Sequence, residues 1–329
     1  MQILITGVSG FLGGRLAQAF SRAGHAVRGL VRDPSRWTDR PAGAEVATGD
    51  VVERATIAAA AEGCEAIVHA AALVKLWVRD RRSFDRVNVD GLANVLSVAR
   101  ERGARVLWAS SFFALGPTDG RILDVDDPRM TERFCTPYER TKWIADQLAR
   151  RVPASDVDLV RLYPGILFGP GSLTEGNYVV RMLAQHARGK LPGLLGRTDL
   201  RQCLAFVDDV AEGFVLALER AAPGSGYVLG GENVTTAELF ARFARLTGVT
   251  PPRRIIPFGI ATALGAAQRA FARLTGVTPQ LTDESVEVYK HEWAYTSERA
   301  VRDLDYRITP FDEALRSTVE WMRTTGELR

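Results

Sequence analysis

Lysine is scarce in this chain. Of 42 basic residues only Lys75, Lys142, Lys190 and Lys290 are lysine, so a lysine inside a patterned stretch carries information. Cysteine is scarcer still. Cys64, Cys135 and Cys203 are widely separated and form no C-x-x-C, which excludes a disulfide framework and implies reduced thiols. His25, His69, His186 and His291 are isolated from one another and from the cysteines, so no metal is expected. An excess of charge is missing as well: the net charge is +3, with basic residues scattered among acidic ones, which argues against nucleic acid as a partner. No apolar run is long enough to span a bilayer; the longest, Ile255 to Ala267, lies between Arg254 and Arg269. The first residues enter a strand directly and leave no room for a signal peptide, so a cytoplasmic location is expected.

What is present is a chain of 329 residues with 46% hydrophobic content, enough for a nucleotide domain and a substrate domain. Ile3, Leu4 and Ile5 lead into Thr6-Gly7-Val8-Ser9-Gly10-Phe11-Leu12-Gly13, after which Leu12, Leu16, Ala19 and Phe20 recur at helical spacing up to a stop at Gly24. This reads as strand, phosphate-binding turn and helix. Gly7 lets the strand reverse, Gly10 lets backbone N–H groups approach a pyrophosphate, and Gly13 lets the helix pack close to the sheet. Ser9, Phe11 and Leu12 complete the expected cradle.

A second strand, His25 to Arg32, ends where NAD-selective folds carry an acidic residue for the ribose 2′-OH. Here Val31 is followed by Arg32, with Arg36 nearby, which favours NADP(H); Asp33 keeps NAD(H) as the alternative. Val46 to Asp50 and Ala66 to Ala72 read as the third and fourth strands, their tips facing the cofactor. Asp50 suits the adenine amino group or a cap on the helix Glu53 to Ala61, with Val51 beside it, and Ala70, Ala71 and Ala72 let backbone lie flat against the ribose. A helix from Asp80 to Arg102 places Asn88 on its buried face, where an amide needs partners. A fifth strand from Arg105 ends in Ser110-Ser111, and a sixth, Leu159 to Tyr163, closes in Pro164-Gly165.

After a long polar loop, Tyr138 and Lys142 stand at i and i+4 near the start of a helix and share one face. A Tyr-x-x-x-Lys match arises by chance in roughly one chain in eleven of this composition, so its place after a serine-tipped strand and a glycine turn is what makes it informative. A free phenol, with pKa about 10, is a weak base, and an ammonium one helical turn away favours the phenolate. Tyr138 is then the acid/base of a hydride-transfer site. Lys142 tunes it and holds the ribose hydroxyls, Ser111 donates to the substrate oxygen, and Asn88 completes the relay.

The T-G-x-x-G-x-x-G turn, Gly49-Asp50, His69-Ala70-Ala71-Ala72, Asn88-Val89, Ser110-Ser111, Tyr138-x-x-x-Lys142, Tyr163-Pro164-Gly165 with Phe168-Gly169-Pro170, and Phe206-Val207-Asp208-Asp209 together resemble an extended short-chain dehydrogenase/reductase. Within that superfamily, which includes the NAD-dependent epimerases and dehydratases, the chain resembles the dihydroflavonol-reductase-like branch. Ser110 to Asp119-Gly120, with Phe134-Cys135, is similar to the farnesol dehydrogenases of plants. The resemblance implies a Rossmann-type α/β fold, a doubly wound parallel sheet, with a smaller, mostly helical substrate domain. It implies a nicotinamide cofactor, also touched by Tyr163, Pro164, Gly165 and Ile166, and oxidoreduction of an apolar alcohol or carbonyl compound. Residues 1–169 and 202–231 are assigned to the dinucleotide domain, and 170–201 and 232–329 to the substrate domain. Phe112, Phe113 and Phe168 are candidates for an apolar pocket, and the expected partner is a small molecule, with room for a homodimer.

The main rival is a nucleotide-sugar epimerase with retained NAD. Dehydratases of that type carry Thr-Asp-Glu after the fifth strand, where this chain has Ser111-Phe112-Phe113. Epimerases have a diphosphate-gripping arginine at a position that falls on Gln202 here, with Arg201 adjacent. One internal repetition, Phe243 to Pro251 and again Phe271 to Pro279, reads as two helix ends with the same Gly stop.

Overall fold

The computed structural model describes residues 1–328. Its strands are β1 (Gln2–Thr6), β2 (Ala26–Val31), β3 (Glu45–Thr48), β4 (Ala66–His69), β5 (Arg105–Ala109), β6 (Leu159–Pro164), β7 (Ile166–Phe168), β8 (Leu194–Leu195), β9 (Arg201–Phe206), β10 (Gly226–Leu229), β11 (Asn233–Thr235) and β12 (Ile255–Ile256). Its helices are α1 (Phe11–Arg22), α2 (Arg54–Ala60), α3 (Arg82–Asp85), α4 (Gly91–Arg102), α5 (Phe112–Leu115), α6 (Pro137–Arg150), α7 (Tyr178–Ala187), α8 (Val207–Arg220), α9 (Thr236–Thr247), α10 (Phe258–Thr275), α11 (Asp283–Val288), α12 (Glu298–Leu304) and α13 (Phe311–Thr324).

Seven strands form one sheet in the order β10-β6-β5-β4-β1-β2-β3, and every neighbouring pair is parallel. Parallel strands are covered on both faces, so they read as continuous apolar runs. Ile3, Leu4 and Ile5 show the rule: Ile3 and Ile5 join Phe20 and Phe214 under α1 and α8, while Leu4 joins Leu92, Val95, Trp108 and Ala145 under α4 and α6. This is the doubly wound Rossmann-type fold the sequence implies.

β7, β9 and β11 form a second, three-stranded sheet, and β8 pairs with β12. The second sheet shares a core with α7, α9 and α13, built on Phe168, Val180, Leu183, Phe240, Phe243 and Leu315. The chain then returns: Ala300 and Leu304 of α12, with Tyr306, are buried in the same cluster as Ile3 and Phe214.

Several boundaries differ from the sequence reading. β3, β4 and β5 stop at Thr48, His69 and Ala109, so Gly49-Asp50, Ala70 to Ala72 and Ser110-Ser111 are loop beyond the ladder at the carboxyl edge. α8 begins at Val207 and carries Asp208 and Asp209 in its first turn, where carboxylates suit the positive end of the helix dipole. The long helix around Asn88 begins at Arg82 and widens to a π-type turn over Arg86–Asp90.

Candidate active site

The glycine turn is tightly interlocked. Gly7 has φ +79°, and a Cβ there would lie 2.7 Å from the Ala71 nitrogen; a Cβ on Gly13 would lie 2.0 Å from the Gly7 carbonyl oxygen. Gly13 is therefore required by the close approach of α1 to the turn that follows β1. α1 starts behind it with Gly10 as N-cap, no side-chain cap and no acidic residue in its first turn. The first N–H groups of a helix have no partner within it. Unopposed by any carboxylate, they and the helix dipole suit an anionic pyrophosphate.

At the tip of β2, the Asp33 carboxylate accepts from the Ser35 amide at 3.0 Å and the Ser35 hydroxyl at 2.7 Å. These bonds hold it below the usual carboxylate range. Arg32 and Arg36 are exposed; Arg32 has only Asp50 within reach, at 3.9 Å, and Arg36 makes no ion pair among the described residues. The acidic group is thus engaged locally, while Arg36 is unpaired among the described residues and Arg32 has only the long contact to Asp50. Asp50 accepts from the Val52 amide at 3.2 Å, whereas α2 has Glu53 as its N-cap, so the expected cap on that helix is a turn instead.

A hydrogen-bonded strap joins this end of the sheet to α6. The Thr6 hydroxyl accepts from the Ala71 amide at 3.2 Å and shares a hydrogen bond with His69 Nδ1 at 2.8 Å. Burial and then Lys142 lower the His69 pKa to about 3, so the ring is neutral. Two residues beyond Ala71, the Leu73 amide donates to Asn88 Oδ1 at 2.7 Å. Asn88 Nδ2 donates to the Thr141 hydroxyl at 3.0 Å, and that hydroxyl donates to the Tyr138 carbonyl at 3.0 Å. Asn88 is committed to Leu73 and Thr141 and makes no bond to the Tyr138 or Lys142 side chains. These bonds tie the Leu73 loop to α6.

α6 opens with Thr136 accepting from the Glu139 amide at 3.1 Å and Pro137 at the first helical position, where its missing N–H costs nothing. This cap places Tyr138 in the first turn and Lys142 one turn on. Lys142 is buried; its Nζ donates to the Ala109 carbonyl at 2.9 Å and lies 5.9 Å from the centre of the Tyr138 ring. Burial lowers its pKa to about 7, opposed by Asp146. Burial raises Tyr138 to about 12, opposed by the neighbouring Ser111 hydroxyl. Desolvation thus outweighs the pull toward phenolate expected from the lysine. Ser111 caps α5 by accepting from the Phe113 amide at 3.2 Å, while its hydroxyl is in hydrogen-bond contact with Tyr138.

Phe113 meets Tyr138 edge to face at 5.8 Å and stacks on Phe112 at 4.4 Å. Phe112 is buried, and Phe168 is buried against Phe206 and Phe311, so of the three proposed pocket residues only Phe113 reaches the tyrosine. The Tyr163 hydroxyl is likewise buried and donates to Asp146, with Arg150 donating to it at 3.3 Å; its side chain ties β6 to α6 instead of facing a cofactor. Gly165 is small because a Cβ there would lie 2.6 Å from the Cys203 carbonyl oxygen of β9, and Ile166 begins the second sheet.

Two residues escaped the sequence reading. Glu139 is fully buried between Tyr138 and Arg140, and Arg129 from the loop pairs with it. Glu139 also accepts from the Cys135 amide at 2.6 Å, and Arg129 donates to the Phe113 carbonyl at 3.3 Å, so this pair fastens the loop and Phe113 around the tyrosine. The carboxylate beside the tyrosine was a visible signal; nothing local marked Arg129. Arg201, the neighbour of Gln202, is held by Glu292 at 2.6 and 3.0 Å in a bidentate pair.

With this geometry established, likeness to known proteins is informative. The profile of the family described as "NAD dependent epimerase/dehydratase family" matches residues 3–230. A Synechocystis protein provisionally named dihydroflavonol 4-reductase is 27% identical over 335 residues, covering 99% of this chain and 95% of that protein. The 2-alkyl-3-oxoalkanoate reductase of Stenotrophomonas maltophilia is 30% identical over 280 residues, covering 81% and 82%. The crystal structure of gox2253 matches with a TM-score of 0.81 and 29% identity, covering 99% of each chain.

Proposed function

The chain belongs to the NAD dependent epimerase/dehydratase family, and on that premise we propose that it interconverts an alcohol and a carbonyl on a small, largely apolar substrate. It is an NAD(P)-dependent enzyme of the extended short-chain dehydrogenase/reductase type, in the dihydroflavonol-reductase-like branch. The observation that carries the proposal is the convergence of Tyr138, Lys142 and the Ser111 hydroxyl at the carboxyl edge of the parallel sheet. The relative named for a 2-alkyl-3-oxoalkanoate supports a carbonyl flanked by alkyl groups.

Residues of the glycine turn, from Gly7 through Ser9, Gly10, Phe11 and Leu12 to Gly13, hold the pyrophosphate, and Lys142 and Tyr138 the nicotinamide ribose. Asp50, Val51 and Ala70 to Ala72 line the adenosine side. Arg32 and Arg36, free of strong ion pairs, take a ribose 2′-phosphate, so NADP(H) is the preferred form. The bound nicotinamide supplies or receives the hydride. In reduction the Tyr138 phenol gives its proton to the substrate oxygen while Ser111 donates a hydrogen bond to the same atom; in oxidation the phenolate takes that proton back. Protonated Lys142 stabilises the phenolate. Substrate recognition falls to segments 170–201 and 232–329.

The pairing of Arg201 with Glu292 disfavours the epimerase reading, since its guanidinium is already spent on a protein carboxylate. The test follows cofactor absorbance with NADP+ or NAD+ and a panel of prenyl, aromatic and sterol alcohols. Tyr138→Phe is expected to lower turnover by about 10²- to 10⁴-fold, and Arg32→Ala with Arg36→Ala to raise KM for NADP+ and not for NAD+. No net reduction with any alcohol, together with turnover of a UDP-sugar, would overturn the proposal.

A further inference from the structure

α10 is an amphipathic helix turned inside out. The residues it buries against α11 are small: Ala261, Gly265 and Ala272, with Gly265 so close that a Cβ would lie 2.5 Å from the Asp283 nitrogen. Its large apolar residues face away: Ile260, Leu264, Phe271 and Leu274 are all exposed, Leu274 to 84%. With Ala267 they recur at alternating spacings of four and three, one straight stripe along a helix of 18 residues. Val277 extends the stripe past the helix end.

The chemistry around the stripe is one-sided. Residues 239–282 contain six arginines and no aspartate or glutamate. Arg253, Arg254 and Arg273 make no ion pair among the described residues, and neither do Lys75 and Arg79 of the loop between β4 and α3. That loop exposes Val74 and Leu76 and lies against the C-terminal half of α10. Leu76, Trp77 and Arg79 share a small cleft with Arg269, Arg273, Phe84 and Pro137, and the one carboxylate lining it, Glu284, is paired with Arg81.

We infer that the exposed face of α10 and the Val74–Arg79 loop dock on an anionic lipid surface. An apolar stripe bordered by unpaired cations is the pattern of a helix lying in the plane of a bilayer, its apolar side sunk into the headgroup boundary. No helix among the described residues is long and apolar enough to cross a membrane. A second copy of the chain fits less well, because residues 239–282 of that copy hold no carboxylate to offer Arg273. The docking stands on surface chemistry alone; that it delivers an apolar substrate rests on the function proposed above.

The test uses the full chain and a Phe271→Ser/Leu274→Ser variant, both positions being exposed and outside the catalytic machinery. Each is sedimented with vesicles of phosphatidylcholine, alone or mixed with phosphatidylglycerol. The native chain is expected to bind the mixed vesicles at least about tenfold more strongly than the neutral ones, less so in high salt, and the variant to lose that binding at an unchanged melting temperature. Absence of vesicle binding by the native chain would overturn the inference. So would a native dimer that the variant converts to monomer in light scattering without vesicle binding, which assigns the face to a second copy. Cofactor turnover with a water-soluble alcohol is read in parallel: binding without turnover sinks the proposed function alone, and turnover without binding sinks the docking alone.

Discussion

The nine residues Phe-Ala-Arg-Leu-Thr-Gly-Val-Thr-Pro occur twice, at the end of α9 and at the end of α10, and the two copies agree in everything local. Thr247 donates to the Phe243 carbonyl at 2.8 Å and Thr275 to the Phe271 carbonyl at 2.9 Å; the Val249 and Val277 amides each donate to the preceding threonine hydroxyl at 3.2 Å. Gly248 and Gly276 both stop their helices in the left-handed region, at φ +75° and +77°. The copies part company in burial: Phe243 is 0% exposed and Phe271 58%. α9 lays its phenylalanine into the core with Phe240 and Leu315, whereas α10 turns Ala272 inward and leaves its phenylalanine outside. Local sequence decides where a helix ends. What packs against the helix decides which face is inside.

Substitutions sharpen this contrast. Phe243→Ala should cost about 3–5 kcal/mol, the loss of a fully buried aromatic side chain, read as a lower denaturant midpoint at constant slope. Gly248→Ala and Gly276→Ala should each cost about 1–2 kcal/mol and match one another, because both glycines hold the same left-handed cap with open space around them. Unequal costs would show that the two ends are not locally equivalent. The smallest effect is expected from Phe271→Ala, within about 0.5 kcal/mol of the native chain. A loss as large as that of Phe243→Ala would mean that this face is packed in solution. Repeating the melt at several protein concentrations would then reveal self-association, since only that stabilisation depends on concentration.

The legible parts of the sequence were those governed by short-range rules. The glycine turn could be read because Gly7 and Gly13 are needed by atoms a few residues away or by the facing loop. Tyr138 and Lys142 could be read because helix geometry alone puts positions i and i+4 on one face. The unread parts depend on partners distant in sequence. Arg129 meets Glu139 only because the polar loop folds back on α6. Tyr163 and Phe168 carry motif residues, yet tertiary packing sends the first to Asp146 and the second to Phe311. In α10 the spacing reveals a stripe, but nothing in the spacing says that its inner neighbour would be the small-residue side.

The strap from Thr6 through Leu73 and Asn88 to the Tyr138 carbonyl lies wholly within the parallel-sheet half of the molecule. Hydride and proton are delivered to the two ends of one bond, and an error of about an ångström in their relative placement is costly. The strap makes that alignment a property of the sheet and its first helices, indifferent to whatever is grafted beyond the carboxyl edge. Recognition can therefore diverge among descendants of this scaffold, one exchanging a flat aromatic guest for a long alkyl one, with no retuning of the reaction itself.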